Sequence, residues 1–298
     1  MKKQFNPRLM LSLSMAIFGT LGLFTRYINV TSAELALYRA ILASAMIAVY
    51  FIAAKQKIDL KSIGKELPLL AISGVAMGVN WILLFEAYKY TSISIATLSY
   101  YFAPVIVTVL SPLLFKERMT AKQVICFVMS TLGLVLIIGV GSNASTGTDI
   151  IGILFGLGAA VLYASVVLLN KFIKNVQGIH RTLLQFLAAI TALLPYVLLT
   201  SGVTLSGLDT KGVICLLIVG LVHTGVTYCM YFSSLKDISG QKAAILSYID
   251  PLVAVLVSVF ILSEDISFWQ IIGGVLILGF TLLNEITFKK KSDKQTSA

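Results

Sequence analysis

Long hydrophobic stretches alternate with short polar segments along almost the whole chain. A helix rises 1.5 Å per residue, so about 20 apolar residues cross the roughly 30 Å hydrocarbon core of a bilayer. Most of the stretches reach that length. The pattern therefore predicts ten membrane-spanning helices: Leu9–Thr25, Leu35–Ala54, Leu67–Tyr88, Ile93–Phe115, Val124–Val140, Ile150–Asn170, Thr182–Leu199, Gly212–Ser233, Gly240–Leu262 and Phe268–Thr287.

Composition agrees with a membrane protein. Of the 298 residues, 58% are hydrophobic and only 12% are charged, and the mean hydropathy is +0.94. Soluble domains carry about 25% charged residues. We therefore expect an all-α integral membrane protein with no separate soluble domain. The first apolar stretch resembles a signal peptide but shows no clear cleavage motif, so it is interpreted as an uncleaved helix.

The second half of the chain repeats the first at an offset of 147 residues, without a gap. The equivalent pairs include Gly78 and Gly225, Phe85 and Phe232, Lys89 and Lys236, Tyr101 and Tyr248, Pro104 and Pro251, and Glu117 and Glu264. Five predicted spans separate equivalent points, and an odd number turns the second copy upside down. We expect two inverted five-helix repeats, residues 1–141 and 150–298, joined by a linker over residues 142–149, as in alternating-access transporters.

Basic residues alternate from loop to loop. With the N-terminus inside, the inner segments hold 19 Lys and Arg residues and the outer segments hold three, Arg26, Lys89 and Lys211. The positive-inside rule thus predicts a multi-pass protein of the cell (plasma) membrane with both termini in the cytoplasm. The same rule accounts for the net charge of +10, so no nucleic-acid partner is expected.

Two sets of segments carry a family resemblance. They are Phe85–Tyr90, Tyr101–Pro104 and Phe115–Glu117 in the first repeat, and Phe232–Asp237, Tyr248–Pro251 and Leu262–Glu264 in the second. This arrangement resembles the EamA domain of the drug/metabolite transporter superfamily. The resemblance implies a ten-helix inverted repeat and, as in most characterised bacterial members, export of amino acids or small metabolites. The first two helices of each repeat match each other only loosely.

Two equivalent prolines, Pro104 and Pro251, are the predicted hinges, because proline removes a backbone hydrogen bond and lets a helix bend. Asp250 precedes the second, ~15 Å into the ninth helix by helical rise. A charged group at that depth costs roughly 2.5–3.5 kcal/mol. Either Asp250 binds substrate or a coupling proton, or it is hydrogen-bonded and only ties helices together.

Polar and aromatic side chains of both repeats are expected to line a central substrate site. The candidates are Asn80, Trp81, Tyr100, Tyr101, Tyr163, His223, Thr227, Tyr228, Ser247 and Tyr248. His223 could exchange a proton with Asp250; the alternative is a histidine that packs between helices. The tyrosines could equally pack and hydrogen-bond. Arg39 is expected to reach outward to water or pair with Glu34 rather than receive a substrate carboxylate.

The predicted function is secondary transport of amino acids or similar metabolites by alternating access, either coupled to protons or as an uncoupled facilitator. The alternatives are a membrane-embedded enzyme acting on lipid-linked substrates and an inert helical scaffold. No phosphate loop or nucleophile elbow is found in the sequence, so no enzyme is predicted. The three cysteines show no metal-ligand spacing, and neither a metal nor a cofactor is expected. The expected partners are a small-molecule substrate and the bilayer, with the chain a monomer or homodimer.

Overall fold

The computed structural model describes residues 6–55, 63–115, 120–139, 147–176, 178–235, 238 and 246–285. Within these ranges the regular elements are all helices, and they form ten spans. They are α1 (Pro7–Gly19 and Leu21–Thr25), α2 (Ser32–Ala53), α3 (Leu67–Tyr90), α4 (Ile93–Tyr100 and Ala103–Phe115), α5 (Ala121–Gly139), α6 (Gly147–Asn170), α7 (Gly178–Thr200), α8 (Thr210–Leu217, Ile218–Val226 and Thr227–Leu235), α9 (Ile249–Leu256 and Val257–Ile261) and α10 (Phe268–Glu285).

The predicted all-α membrane fold is confirmed. Seven described helices are long and apolar enough to cross a membrane, and α5, α9 and α10 contain shorter apolar segments. Part of the predicted ninth helix, residues 240–245, lies outside the described residues, as do residues 142–146 of the predicted linker.

Side-chain caps explain where several spans begin. Thr31 and Glu34 form a capping box at the start of α2. The Ser92 hydroxyl accepts a hydrogen bond from the Ile95 amide at 3.2 Å at the start of α4. Asp209 accepts one from the Gly212 amide at 2.8 Å at the start of α8. Each cap satisfies an amide that has no partner within its own helix.

Contacts between the spans follow an approximate two-fold relation between the halves. Exchanging α1–α5 for α6–α10 converts the packing of α3 on α6 into that of α8 on α1. It likewise converts α3 on α7 into α8 on α2, and α4 on α6 into α9 on α1. The pairs α2 with α7, α4 with α9 and α5 with α10 map onto themselves. The repeat seen in the sequence is therefore also a repeat of packing.

Two equivalent glycines show that this relation extends to α2 and α7. A Cβ atom on Gly78 would lie 3.1 Å from a methyl carbon of Leu193, and one on Gly225 would lie 2.6 Å from the sulfur of Met46. Met46 and Leu193 are themselves 147 residues apart. Each glycine leaves room for a side chain of the facing helix, which an added Cβ atom would crowd.

Equivalent spans α4 and α9 are both interrupted just before their prolines. In α4 a turn at Tyr101–Phe102 separates the two helical segments, and in α9 a turn at Tyr248 precedes Ile249. Tyr101 and Tyr248 are equivalent in the repeat. Because Pro104 and Pro251 cannot donate a backbone hydrogen bond, the preceding turn is not held in the α-helical pattern.

Span α8 departs from its regular counterpart α3 through a π-helical segment, Ile218–Val226. Here side chains bond to carbonyls five residues earlier, Thr224 to Val219 at 2.8 Å and Thr227 to Val222 at 2.7 Å. A π segment changes which side chains share a face. It is also a frequent feature of functional sites.

Candidate functional site

One hydrogen bond joins the two interrupted helices. The Tyr101 hydroxyl donates to Oδ2 of Asp250 at 2.6 Å. Tyr101 closes the first segment of α4, and Asp250 lies in the first turn of the described part of α9. Both side chains are only partly buried. The bond therefore links the two repeats at their equivalent helix breaks.

Aromatic side chains surround this pair. The rings of Tyr100 and Tyr163 lie 5.4 Å apart, and those of Tyr100 and Tyr101 lie 6.0 Å apart. Tyr163 keeps 41% of its surface exposed. Asp250 lies within electrostatic range of all the tyrosines in this group, Tyr88, Tyr100, Tyr101, Tyr163 and Tyr228. We call these five tyrosines and Asp250 the tyrosine cleft.

Span α1 approaches the cleft at Gly19. A Cβ atom at this position would lie 2.5 Å from the Asp250 carbonyl oxygen and 2.7 Å from Cβ of Val253. The helix of α1 ends at Gly19 and resumes at Leu21 after a turn at Thr20. The backbone of α1 is thus in contact with the turn that carries the carboxylate.

Arg39 is buried in α2, with 3% of its surface exposed. Its Nε atom donates to the Thr224 hydroxyl at 2.6 Å, and its guanidinium lies 4.5 Å from the centre of the Trp81 ring. The expectation that Arg39 reaches water or pairs with Glu34 is wrong. Glu34 instead accepts hydrogen bonds from groups near the ends of α2 and α7: the Thr31 amide, the Tyr38 hydroxyl and the Thr204 amide.

Charged and polar groups close the end of the bundle that charge counting assigns to the outside. Arg26, after α1, forms an ion pair with Glu264, after α9. The same carboxylate accepts a hydrogen bond from the Ile93 amide at 2.9 Å, at the start of α4, and from the Ser258 hydroxyl. These contacts, which we call the Glu264 latch, tie together the three spans that meet at Asp250.

A small space lies apart from the tyrosine cleft. It has a volume of about 10 Å³ and lies among α4, α5 and α10, lined by Val105, Thr108, Cys126, Phe127, Ser130, Thr281 and Asn284. A space of this size holds about one water molecule. It is too small for a metabolite.

Comparison with models of protein families identifies the family of this chain. The model of the EamA-like transporter family matches residues 7–139 and again residues 150–285. The chain belongs to this family. It is thus a multi-pass membrane protein of a transporter family.

Curated EamA relatives support the transporter assignment. The "Uncharacterized transporter YxxF" of Bacillus subtilis (strain 168) is 28% identical over 94% of this chain and 90% of its own length. An "Uncharacterized transporter" of Archaeoglobus fulgidus is 32% identical over 66% of this chain and 68% of its own. "Protein PecM" of Dickeya dadantii is 28% identical over 74% and 76%.

The EamA chain also shares its fold with a solved structure. A crystal structure of another protein matches 93% of this chain and 96% of its own, with a TM-score of 0.64 and 17% sequence identity. At that identity the likeness concerns the fold alone.

Within this EamA protein the predicted site residues fall into two groups. Tyr100, Tyr101, Tyr163, Tyr228 and Asp250 meet in the tyrosine cleft. Ser247 is partly buried one residue before Tyr248, which is 8% exposed. A role in binding stays a prediction for every member of this group.

The second group lies in packed contacts between helices. His223 is 2% exposed, and its Nε2 atom lies 2.9 Å from the Thr20 hydroxyl. The Asn80 amide donates to the Ala159 carbonyl at 2.6 Å, joining α3 to α6. Thr227 bonds within α8, and Trp81 packs edge-to-face on Phe186, with ring centres 5.3 Å apart. These contacts leave His223 bonded to α1 rather than to Asp250.

Two residues of this region, Tyr88 and Phe186, were not predicted from the sequence. Phe186 is fully buried and its ring lies 5.4 Å from that of Tyr228. The missed signal was the 147-residue offset, which pairs Phe186 with Arg39. Tyr88 lies in the last turn of α3, where hydropathy alone gives no reason to single it out.

Proposed function

We propose that this EamA protein is a secondary transporter that exports amino acids or similar small metabolites. The substrate binds in the tyrosine cleft, and the two repeats move against each other to expose it alternately to the two sides. The observation that carries this proposal is the hydrogen bond between Tyr101 and Asp250, which joins the repeats through the only pair of equivalent interrupted helices among the described residues.

Asp250 supplies the charge in this mechanism. A carboxylate deep in a membrane bundle is stable only with partners, and Tyr101 provides one hydrogen-bond donor. A substrate ammonium group can provide a second partner, and a proton can neutralise the carboxylate instead. Competition between these two cations would couple export to proton entry, whereas independent binding would leave facilitated diffusion.

Movement is expected at the helix breaks. Both Pro104 and Pro251 follow a turn that lacks a continuous backbone ladder, so rotation there disrupts few hydrogen bonds. The Glu264 latch ties the outer ends of α1, α4 and α9, which supports a closed outer entrance. The inner entrance would close when the latch opens.

The proposed location is the plasma membrane with both termini in the cytoplasm. The uneven loop charge supports this orientation. Single cysteines introduced near either end of the chain should resist a membrane-impermeant maleimide in intact cells until the cells are permeabilised. Labelling of either tail in intact cells would contradict the proposed topology.

Flux measurements test the transport proposal. Purified protein in proteoliposomes is given a panel of radiolabelled amino acids, with and without a pH gradient. We expect the wild-type protein to transport at least one amino acid of the panel. In Asp250→Asn we expect that flux to fall at least tenfold. The matched control is Glu86→Gln, which removes a carboxylate whose partner is the neighbouring Lys89, 3.1 Å away. Wild-type protein that moves no member, or Asp250→Asn with unchanged flux, would refute the proposal.

A further inference from the structure

Arg39 is a buried cation that forms no ion pair with a carboxylate among the described residues. The ion pairs between described residues include Arg26 with Glu264 and Lys89 with Glu86, and no described carboxylate lies within 4 Å of the Arg39 guanidinium. The desolvation of an unpaired charge is unfavourable for folding. A group retained at that cost is a candidate for binding an anion that arrives from outside the protein.

The guanidinium is also held in one orientation. Thr224 accepts from Nε, and the planar group lies over the Trp81 ring at 4.5 Å and within 5.8 Å of the Phe85 ring centre. Arginine stacks readily on aromatic faces, and its fork of N–H donors matches a carboxylate in bidentate geometry. A guanidinium fixed in this way loses little side-chain entropy when it binds a carboxylate.

The repeat shows that this charge breaks an otherwise symmetric arrangement. Arg39 is equivalent to Phe186, and Trp81 to Tyr228. The contact of Arg39 with Trp81 corresponds to that of Phe186 with Tyr228, where the rings are 5.4 Å apart. A cation therefore occupies the position that an aromatic ring fills in the other half.

A second departure from symmetry carries the opposite charge. Asp250 is equivalent to Ala103, which is buried and uncharged. Arg39 lies within electrostatic range of Asp250 and of three cleft tyrosines, Tyr88, Tyr100 and Tyr228. The two repeats thus differ by one positive and one negative side chain, at positions whose counterparts, Phe186 and Ala103, are uncharged.

We infer that Arg39 binds the carboxylate of the transported substrate while Asp250 receives its ammonium group. The transporter then selects zwitterionic amino acids over amines, esters and apolar solutes. This inference rests on the proposed function for the identity of the site. It adds the residue that recognises the anion and the charge pattern of the substrate.

Trp81 provides a direct reporter of this binding. The chain has two tryptophans, and the other, Trp269, is 40% exposed on α10. The Trp269→Phe variant leaves Trp81, in contact with Arg39, as the sole indole. In a neutral maltoside detergent, which lacks phosphate headgroups, its emission is titrated with free amino acids, their methyl esters and their decarboxylated amines.

We expect free amino acids to cause a saturable change in Trp81 emission. The apparent affinity for the esters and amines should be at least tenfold weaker. Adding Arg39→Gln should abolish the response. Arg39→Lys, which keeps the charge but loses bidentate geometry, should weaken apparent affinity on the order of tenfold. Lys89→Gln, a change at the exposed cation beside Glu86, is the control and should leave the titration unchanged. No response to any free amino acid, equal responses to esters, or a response that survives Arg39→Gln would overturn the inference.

Flux of the same panel separates this inference from the transport proposal. If the wild type moves amino acids and Arg39→Gln moves them equally well, the inference fails and transport stands. If no compound moves but the Trp81 response depends on Arg39, the anion site stands and the proposed transport fails.

Discussion

The Tyr101 hydroxyl donates a 2.6 Å hydrogen bond to Asp250, although the repeat gives its counterpart Tyr248 an uncharged residue, Ala103, at the matching position. The two tyrosines lie at equivalent helix breaks and have similar backbone dihedral angles. They differ because Tyr101 bonds to a carboxylate, whereas the position matched to that carboxylate for Tyr248 is an alanine. This difference distinguishes the contributions of the two halves to the candidate site, and it can be tested by removing one hydroxyl at a time.

Removal of the Tyr101 hydroxyl should impair transport much more than removal of the Tyr248 hydroxyl. A hydrogen bond to a charged group contributes about 1.5–3 kcal/mol, so Tyr101→Phe should reduce flux by roughly one to two orders of magnitude. Tyr248→Phe should reduce flux clearly less than Tyr101→Phe does, since the residue at the position matching Asp250 is the uncharged Ala103. Initial rates in proteoliposomes measure both. Equal losses in the two variants would contradict a special role for the Tyr101–Asp250 bond.

Weakening the Glu264 latch should open the cleft from the outside. Glu264→Gln replaces the carboxylate that pairs with Arg26 and accepts a hydrogen bond from the Ile93 amide. In a background without Cys126, Cys215 and Cys229, a cysteine introduced at Tyr100 reports access to the cleft. Labelling by an impermeant maleimide added outside should become several-fold faster with Glu264→Gln.

The control for this experiment is Glu86→Gln, which breaks an exposed ion pair at the same end of the bundle without touching the latch. Its labelling rate should match that of the parent. If Glu264→Gln labels no faster than Glu86→Gln, the latch does not limit entry.

Enlarging Gly19 should destabilise the junction between α1 and α9. The added Cβ alone would lie 2.5 Å from the Asp250 carbonyl oxygen, and backbone cannot move aside as a flexible side chain can. Overpacking of this kind costs about 1–3 kcal/mol, so Gly19→Leu should lower the melting temperature by several degrees. Gly279→Ala is the control, because no atom lies within 4 Å of its added Cβ. A Gly19→Leu protein as stable as this control would mean that the two spans are not in contact.

Much of the fold could be predicted from hydropathy and the repeat. Apolar length predicted the ten spans, and the 147-residue offset predicted which spans of the two halves are equivalent, a correspondence that the packing follows. The prolines indicated where α4 and α9 are interrupted. These predictions succeed because a bilayer imposes span length and backbone satisfaction on any sequence that crosses it.

Side-chain environments were less predictable. The expectation that Arg39 would turn outward assumed that water is its best partner, whereas Trp81 and Thr224 hold it inside. Hydropathy also does not predict the π segment of α8, where the hydroxyls of Thr224 and Thr227 bond to carbonyls five residues earlier. The environment of Arg39 depends on neighbours distant in sequence, which local periodicity does not specify.

The self-matched pairs α2 with α7, α4 with α9 and α5 with α10 give this bundle a further property. If the two halves exchange their conformations, the bundle changes from facing one side of the membrane to facing the other. One repeated unit can therefore form two states that face opposite sides. The balance between those states is then decided by the positions where the copies have diverged. Arg39 and Asp250 are such positions, and a solute that engages both can shift the balance directly.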